Sequence, residues 1–443
     1  MKILILGLGQ YPQGSGVSAA LYFARRGEEV TVTDLKTAKE LKENVGQLKK
    51  FKNVRFVLGK HDLKDIESTD LVVANPRVRR DSREMKLAIK RGIPIESDIS
   101  LFLAQCPARV IGVTGTRGKS TTATLIAEML KAGGAKVWLG GNILVSPLTF
   151  LSKVKKDDLV VLELSSWQLE SLGEKGISPP VAVWTNLMRD HLNTYKSMEE
   201  YAEAKAQIFR HQKPSDIVFL PVDRSFDGYA REAASRVYRT GKKKNRESII
   251  CYSTKLKVVG EHNRKNAEMA VAVALRLGVK VSAIKSALRS FKGLPNRLEL
   301  IATTKGIKYI NDTTATTPDA TIAAIKALSN NSLQLPLFKR GRVHLIFGGA
   351  DKELEFVEVA KMLKRFFVNV ALLPGTAHTK IVKAFRHDKF FYQDAPNLRT
   401  AIKTLQSQAR VGDTILLSPG CASFGLFKNE FDRGEQFKKL IKG

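Results

Sequence analysis

Residues 111 to 122 read Ile-Gly-Val-Thr-Gly-Thr-Arg-Gly-Lys-Ser-Thr-Thr. An apolar run precedes this glycine-rich turn, and Leu125, Ile126, Met129 and Leu130 follow it at helical spacing. A strand, a turn of small residues and a helix N-terminus together let backbone N–H groups converge on phosphate oxygens, with Lys119 as a mobile cation and Ser120 as a hydroxyl for Mg²⁺. The stretch predicts a nucleoside triphosphate site. It departs from the generic Gly-x-x-x-x-Gly-Lys-Ser/Thr pattern, because Val113 takes the place of the first glycine and glycines stand at 112 and 115 instead.

Outward from this turn, strand-like and helix-like segments alternate in both directions. Residues 2 to 34 read as a β-α-β unit: an apolar strand to Leu6, a glycine turn, a helix through Leu21 and Phe23, and a strand Val30-Thr31-Val32-Thr33 ending at Asp34. The glycines at 7, 9, 14 and 16 do not spell Gly-x-Gly-x-x-Gly, since Pro12 occupies the third place, which argues against a standard NAD site. Strands are expected near Leu71 to Ala74 and Ile93 to Ile95, and a boundary at Pro107. Further strands fall at Leu159 to Leu164 and Val181 to Thr185. After Gly293-Leu294-Pro295-Asn296-Arg297 the pattern restarts at Lys308 to Asp312, with strands at Val343 to Phe347, Val368 to Leu373 and Thr414 to Leu417. Asn330 to Arg342 reads as a polar connecting loop.

The length of 443 residues implies more than one core, at ~100 to 200 residues per domain. No apolar run reaches the ~18 residues of a membrane span, and the N-terminal apolar run is too short for a signal peptide. Cys106, Cys251 and Cys421 are odd in number and lack ligand spacing, which favours neither a disulfide framework nor a zinc site and fits a reducing cytoplasm. The formal charge of +30 is spread along the chain, with short clusters at Arg77 to Arg80 and Lys242 to Lys244. No basic tract interleaved with aromatics accompanies it, so a basic solvated surface is the simpler reading and nucleic-acid binding is not expected.

A phosphate loop needs groups that hold metal and receive the phosphoryl group, and in open parallel sheets these lie at the carboxyl ends of strands. Glu163 closes the strand that starts at Leu159 and is followed by Ser165-Ser166-Trp167-Gln168. An acidic side chain there suits Mg²⁺ or an edge ion pair. His191, in Asn186-Leu187-Met188-Arg189-Asp190-His191, binds metal, orients substrate or is structural. Lys205 sits in a helix with Tyr201, Ile208 and Phe209 on one face and by itself reads as an ordinary helix lysine.

Taken together, Gly112 to Thr122, Gly140-Gly141-Asn142, Glu163 to Gln168, Asp190-His191, Gly260-Glu261-His262-Asn263 with Asn266, and Gly293 to Arg297 resemble the Mur ligases in order and spacing. Asn311 to Thr316, Gly348-Gly349-Ala350-Asp351-Lys352 and Leu417 to Ser423 look most like the branch that adds D-glutamate. The resemblance spans the chain and implies an α/β protein of three domains. These are an N-terminal Rossmann-like UDP-binding domain (1–107), a central P-loop ATPase-like domain with a mostly parallel sheet (108–297) and a C-terminal Rossmann-like domain for the amino acid (298–443). It implies an ATP-dependent amide ligase of cytoplasmic peptidoglycan synthesis, acting as a monomer and away from membranes. ATP phosphorylates UDP-N-acetylmuramoyl-L-alanine, and the amine of D-glutamate attacks the acyl phosphate.

Residue by residue, the resemblance assigns Gly115, Thr116, Arg117, Gly118, Lys119, Ser120 and Thr121 to the ATP phosphates. Asn263, Asn266, Arg297 and Asp312 go to the rest of ATP. Ser120, Glu163 and His191 are assigned to two Mg²⁺ ions, together with Lys205 in carbamylated form, which requires a neutral amine and so a depressed pKa. Asn142, Gln168 and His191 are assigned to the muramoyl substrate, and Thr316, Lys352, Ser423 and Phe424 to D-glutamate. Lys119, Glu163, His191 and Lys205 form the catalytic set. The chain departs from the family in its lengthened turn Gly7 to Gly16, in Asn75-Pro76-Arg77, where Arg77 adds a cation for the diphosphate, and in Thr314 and Glu430. The competing readings are a sister ligase with another amino acid, a folylpolyglutamate-type ligase, which lacks the N-terminal nucleotide domain, and a basic nucleic-acid-binding ATPase.

Overall fold

The computed structural model describes residues 1–143, 145–191, 194–241, 260–329, 341–366 and 368–442. Cys251, the Lys242–Lys244 cluster and residues 330–340 of the polar loop lie outside the described residues. The described strands form three sheets. The first comprises β1 (Lys2–Leu6), β2 (Glu29–Asp34), β3 (Val54–Leu58), β4 (Leu71–Ala74) and β5 (Ile95–Glu96), all parallel, in the order β3-β2-β1-β4-β5. That order is the doubly wound arrangement of nucleotide-binding folds. Strand β1 is buried on both faces after Lys2, as a central parallel strand must be when helices cover both sides. Strand β5 begins later than the apolar run at Ile93 suggests, because Pro94 has no N–H to give the ladder and contributes only its carbonyl, to Val72 N at 3.0 Å.

The second sheet comprises β6 (Arg109–Thr114), β7 (Val137–Gly141), β8 (Leu159–Glu163), β9 (Val181–Trp184), β10 (Ile217–Pro221) and β11 (Arg236–Thr240). Its order is β11-β10-β9-β6-β8-β7, again parallel throughout. Strand β6 therefore lies between β8 and β9, and its carboxyl end faces the crevice where such sheets bind ligands. Gly112 lies inside this strand and not in the phosphate turn. A Cβ there would come within 2.6 Å of Pro179 Cγ, so this glycine serves packing.

The third sheet is mixed. It comprises β12 (Glu299–Thr304), β13 (Ile307–Asn311), β14 (Val343–Phe347), β15 (Asn369–Leu372), β16 (Gln393–Asp394) and β17 (Thr414–Leu417), in the order β12-β13-β17-β14-β15-β16. Strands β12 and β13 pair antiparallel and the others are parallel. The extra edge strand arises from a two-residue turn, Lys305-Gly306, with φ of +51° and +75°. Both residues are left-handed, as a tight hairpin requires, but Lys-Gly is not the Asn-Gly or Asp-Gly pair that announces such a turn in a sequence.

Contacts divide the chain into two compact units, one holding the first two sheets and residues 265–288, the other holding residues 260–264 and 289 onward. Within the first unit a single apolar cluster runs from Ile3, Ile5 and Val32 through Ile99 and Phe102 to Phe150, Val160 and Leu162. Phe102 meets Phe150 edge-on at 5.7 Å, and Phe150 stacks on Trp138 at 5.3 Å. At the start of helix Ser15–Ala24, Gly16 lies against the carbonyls of the turn it follows. A Cβ on it would stand 2.2 Å from Gly7 O and 2.5 Å from Leu8 O. Gly16→Ala is therefore expected to cost ~1–3 kcal/mol through overpacking, read as a lowered first transition in calorimetric unfolding. An unchanged transition would show that the turn yields freely.

Candidate active site

The phosphate turn Gly115–Gly118 connects β6 to the helix Lys119–Ala132, whose Leu125, Ile126, Met129 and Leu130 are all buried. Gly115 has φ +144°, and a Cβ there would lie 2.0 Å from Thr185 Oγ1. Gly118 has φ +76°, and a Cβ there would lie 2.1 Å from Asn266 Oδ1. The turn is gripped by the segment after β9. Thr116 N donates to Asn186 O at 3.1 Å, Arg117 N to Asn186 Oδ1 at 2.9 Å, and the Thr185 hydroxyl to Arg117 O at 2.8 Å. Thr116 Oγ1 donates to Met188 O at 3.2 Å and accepts from Met188 N at 3.0 Å. Ser120 and Thr121 occupy the first turn of the helix.

Two lysines meet at one carbonyl of this turn. Lys119 Nζ donates to Gly115 O at 3.0 Å and to Thr116 O at 3.1 Å, and Lys205 Nζ donates to the same Gly115 O at 3.1 Å. Lys205 lies on helix Met198–Arg210, four residues after Tyr201, and shares its buried face. It is 1% exposed, with Nζ 4.3 Å from the centre of the Tyr201 ring. Burial first, and then the charge of Lys119, lower its pKa to about 6 against the pull of Asp190 and Glu163. The amine is thus neutral at pH 7, a state that helix periodicity alone could not reveal.

Glu163, at the end of β8, is 2% exposed. Its Oε1 accepts from Asn142 Nδ2 at 3.0 Å, and Oε2 is buried with no hydrogen-bond partner among the described residues. His191 has φ +57°, and its ring meets Trp167 at 4.9 Å and Tyr201 at 5.6 Å. Burial lowers its pKa, opposed by Asp190 and reinforced by the charges of Lys119 and Arg117, so the imidazole is neutral. Gln168 is a helix-capping residue here: its Oε1 accepts from Ser165 N at 2.9 Å and from the Ser165 hydroxyl at 3.0 Å. It also lines a 330 Å³ cavity with Arg77, Arg80, Trp167, Tyr195 and Lys196. Asp190, which had no separate role in the sequence reading, lies within 3.7 Å of His191 and 3.6 Å of Arg117.

The remaining assigned residues lie on the second unit. Asn263 is buried near the start of helix Glu261–Arg276. Asp312, just past β13, accepts from the Ser418 hydroxyl at 2.9 Å and Leu298 N at 3.2 Å. Burial raises its pKa to about 7, against Ser418, Leu298 and the charge of Arg297. Ala350 and Ala422 exchange backbone hydrogen bonds of 2.9 and 3.1 Å, bringing the loops of Lys352 and Ser423 side by side. Ser423 is buried, Lys352 exposed and Phe424 59% exposed. Thr316 follows the Asp312 turn, its N–H donating to Thr314 O at 3.0 Å.

Sequence reasoning missed Arg433, which is fully buried on helix Glu430–Lys442. Its Nε donates to Thr313 Oγ1 at 3.0 Å, and its terminal nitrogens to Thr313 O at 2.9 Å and Cys421 O at 3.4 Å. It ties together the loops of Asp312 and Ser423, and burial lowers its pKa to about 10. An Arg-Gly pair in a charged helix carries no sign of this.

Three family models match in succession: "Mur ligase MurD-like, N-terminal domain" over residues 1–97, "Mur ligase middle domain" over 113–274, and "Mur ligase, glutamate ligase domain" over 296–421. The chain belongs to the Mur ligase family, a family of ATP-dependent ligases. It is 36% identical to the UDP-N-acetylmuramoylalanine--D-glutamate ligase of a Roseiflexus species, covering 100% of this chain and 98% of that one. It is 35% identical to the enzyme of that name from Borreliella afzelii, over 100% and 97%. Among solved structures it shares its fold with the UDP-N-acetylmuramate-alanine ligase MurC of Thermotoga maritima, at 20% identity and a TM-score of 0.62 over 100% and 99% of the two chains. MurF of the same organism, crystallised in complex with ADP, is likewise similar, with 17% identity and a TM-score of 0.59 over 100% and 98%.

Gly118→Ala puts a side chain into a left-handed backbone and against Asn266, strain of ~1–2 kcal/mol before any clash. A loss of ATP affinity on the order of tenfold is expected by calorimetric titration. Wild-type affinity in this variant would show that the turn does not hold the phosphates.

Proposed function

We propose that this chain joins D-glutamate to UDP-N-acetylmuramoyl-L-alanine with hydrolysis of ATP to ADP and phosphate, a cytoplasmic step of peptidoglycan synthesis. The single observation that carries this reading is the full-length likeness to D-glutamate ligases, at 36% identity. No helix among the described residues is long and apolar enough to cross a membrane, in keeping with small soluble substrates. We take residues 1–107, 108–297 and 298–443 as the UDP-substrate, ATP and amino-acid domains. Each contains one complete sheet of described strands.

A carboxylate is a poor acyl donor until one of its oxygens leaves as phosphate. The substrate carboxylate attacks the γ-phosphorus and ADP departs. The amine nitrogen of D-glutamate then attacks the acyl carbon, the carbon–oxygen bond to phosphate breaks, and the nitrogen gives up a proton. Lys119, Gly115, Thr116, Arg117, Gly118 and Thr121 hold the phosphates, with the half-buried Lys119 cation opposing their charge. Asn263, Asn266, Arg297 and Asp312 take the remainder of ATP. Asn142, Gln168 and His191 receive the muramoyl end, and Arg77, on the same cavity as Gln168, the diphosphate. Thr316, Lys352, Ser423 and Phe424 receive D-glutamate, Lys352 offering a cation to a dicarboxylate.

No group of three or more His, Cys, Asp or Glu side chains suited to a metal occurs among the described residues. Mg²⁺ needs no such cage, since it binds through one or two carboxylates, water and substrate phosphates. The unpartnered Glu163 Oε2 fits that use, with the Ser120 hydroxyl, neutral His191 and carbamylated Lys205 as the other donors of two sites. When bound, Mg²⁺ neutralises phosphate charge. Lys205 as an ammonium would repel it, whereas the neutral amine can add carbon dioxide, lose a proton and become an anion.

The function is tested by incubating the purified chain with ATP, Mg²⁺ and UDP-N-acetylmuramoyl-L-alanine, with D-glutamate, L-glutamate, L-alanine or a diamino acid. Phosphate release and a new product mass are expected only with D-glutamate. Turnover with another amino acid instead would reassign the acceptor. A second measurement concerns Lys205. Its pKa is lowered to about 6, so the amine is neutral above that value and protonated below it. In ¹³C-bicarbonate a carbamate resonance is expected at pH 7.5, fading as pH falls through 6 and missing from Lys205→Ala. A wild-type spectrum without that resonance at pH 7.5 would remove Lys205 from the metal ligands.

A further inference from the structure

Two loops, one in the domain that the proposed function gives to the UDP end of the substrate and the other carrying Asn142 of its muramoyl end, are joined by a buried carboxylate. One is the lengthened turn that ends at Gly16, on the uridine side. It is held from within the first sheet by Asn44 Nδ2, which donates to Gly9 O at 2.6 Å, and by Asp34 Oδ2, which accepts from Gly9 N at 3.0 Å. The other is the segment that carries Asn142 and Ser146, on the muramoyl side. Ser146 N donates to Gln13 O at 2.7 Å, and the Ser146 hydroxyl donates to Asp98 Oδ2 at 2.6 Å. The Ser15 side chain bonds the same carboxyl.

Asp98 is 1% exposed, and its Oδ1 has no partner among the described residues. It opens helix Asp98–Gln105, where Ser97 caps by accepting from Ser100 N at 3.1 Å, so the helix N-terminus favours its negative charge. Beyond Ser146 the contacts continue inward. Gly141 N donates to Val145 O at 2.8 Å, Asn142 N to Glu163 O at 2.8 Å, and Asn142 Nδ2 to Glu163 Oε1 at 3.0 Å. Direct contacts thus lead from the uridine turn to Asp98 and Ser146, while Asn142 of the same segment contacts the carboxylate assigned to metal.

A carboxylate is a poor choice for holding these elements together. Burial raises its pKa, and an apolar group of the same shape would avoid that cost. Cohesion is already supplied by Phe102, Phe150 and their neighbours in the shared apolar cluster. What directional, charge-assisted hydrogen bonds add is a defined separation and orientation. The geometry points to Asp98 as a positioning residue that sets the spacing between the uridine turn and the Asn142 segment, so that a single nucleotide-linked sugar engages both. The inference rests on the proposed function.

The test uses the full chain and its Asp98→Ala, Asp98→Asn and Ser146→Ala variants. Affinities are measured for UDP alone and for UDP-N-acetylmuramoyl-L-alanine, with KM for ATP and for D-glutamate. In Asp98→Ala the longer nucleotide is expected to lose about tenfold in affinity, the scale of one charge-assisted hydrogen bond. UDP alone and both other KM values stay within about twofold, since only the ligand that spans the two loops senses their spacing. Ser146→Ala shifts the same ligand in the same direction by less. Asp98→Asn keeps an acceptor for Ser146 and restores most of the loss. Equal losses for UDP and the longer nucleotide, or no loss for either, would overturn the role. If Asp98→Ala does not fold, the same comparison in Ser146→Ala decides. A wild-type chain that binds UDP but not the muramoyl nucleotide sinks the assigned substrate and this inference together. A wild-type chain that binds both, with an indifferent Asp98→Ala, sinks this inference alone.

Discussion

The carbonyl of Gly115 accepts hydrogen bonds from two lysines, and much of the first unit's chemistry depends on that. Lys119 reaches it from the helix that the turn begins, Lys205 from a helix ninety positions on in the chain. Burial disfavours a charged amine there and the neighbouring charge of Lys119 adds to it, so one of the two amines gives up its proton. Lys119 stays at the mouth of the turn, half-buried, whereas Lys205 is enclosed by Tyr201 and the end of β6 and becomes the neutral partner. The same field, with burial, keeps His191 neutral. A cationic loop is thereby set beside an uncharged amine and an uncharged imidazole, both able to act as ligands.

Buried carboxylates occur in each unit. Glu163 and Asp312 each stand at or just past the end of a parallel strand, where the backbone stops consuming its own hydrogen-bonding groups and side chains converge. Glu163 retains an oxygen with no partner among the described residues, and Asp312 is pushed close to neutrality by burial. Both are costly as isolated groups and reasonable where a cation or a nucleotide hydroxyl completes them. Arg433 shows a complementary arrangement in the second unit, its guanidinium holding two loops through the neutral oxygens of Thr313 and Cys421.

The N-terminal turn shows how a departure from a family pattern is accommodated. Its residues Gln10, Pro12 and Gln13 are exposed, yet the turn is held by hydrogen bonds along its length. Asn44 and Gln47 bind the carbonyls of Gly9, Tyr11 and Pro12, and Ser146 binds that of Gln13. A longer loop tied along its length keeps its order, because carbonyls that leave the sheet find side-chain and backbone N–H donors.

By itself the sequence determined the alternating α/β order, the phosphate turn and the residues that make it: glycines where φ is positive, a lysine and a serine at a helix start, apolar residues at helical spacing. These are local demands, written within a few positions of one another. It also marked Glu163, since a strand end is visible as the place where an apolar run stops, whereas Asp312 came only from the resemblance to the family. Tertiary structure decided the rest. The hairpin at Lys305-Gly306 carries no strong turn signal, Gly112 belongs to strand packing, Gln168 caps a helix, and Asp98 and Arg433 look like surface residues. Above all, Lys205 has the pattern of a solvated helix lysine and the environment of a buried one. Desolvation and charge proximity depend on which distant segments fold against a side chain, and no local pattern encodes that distance.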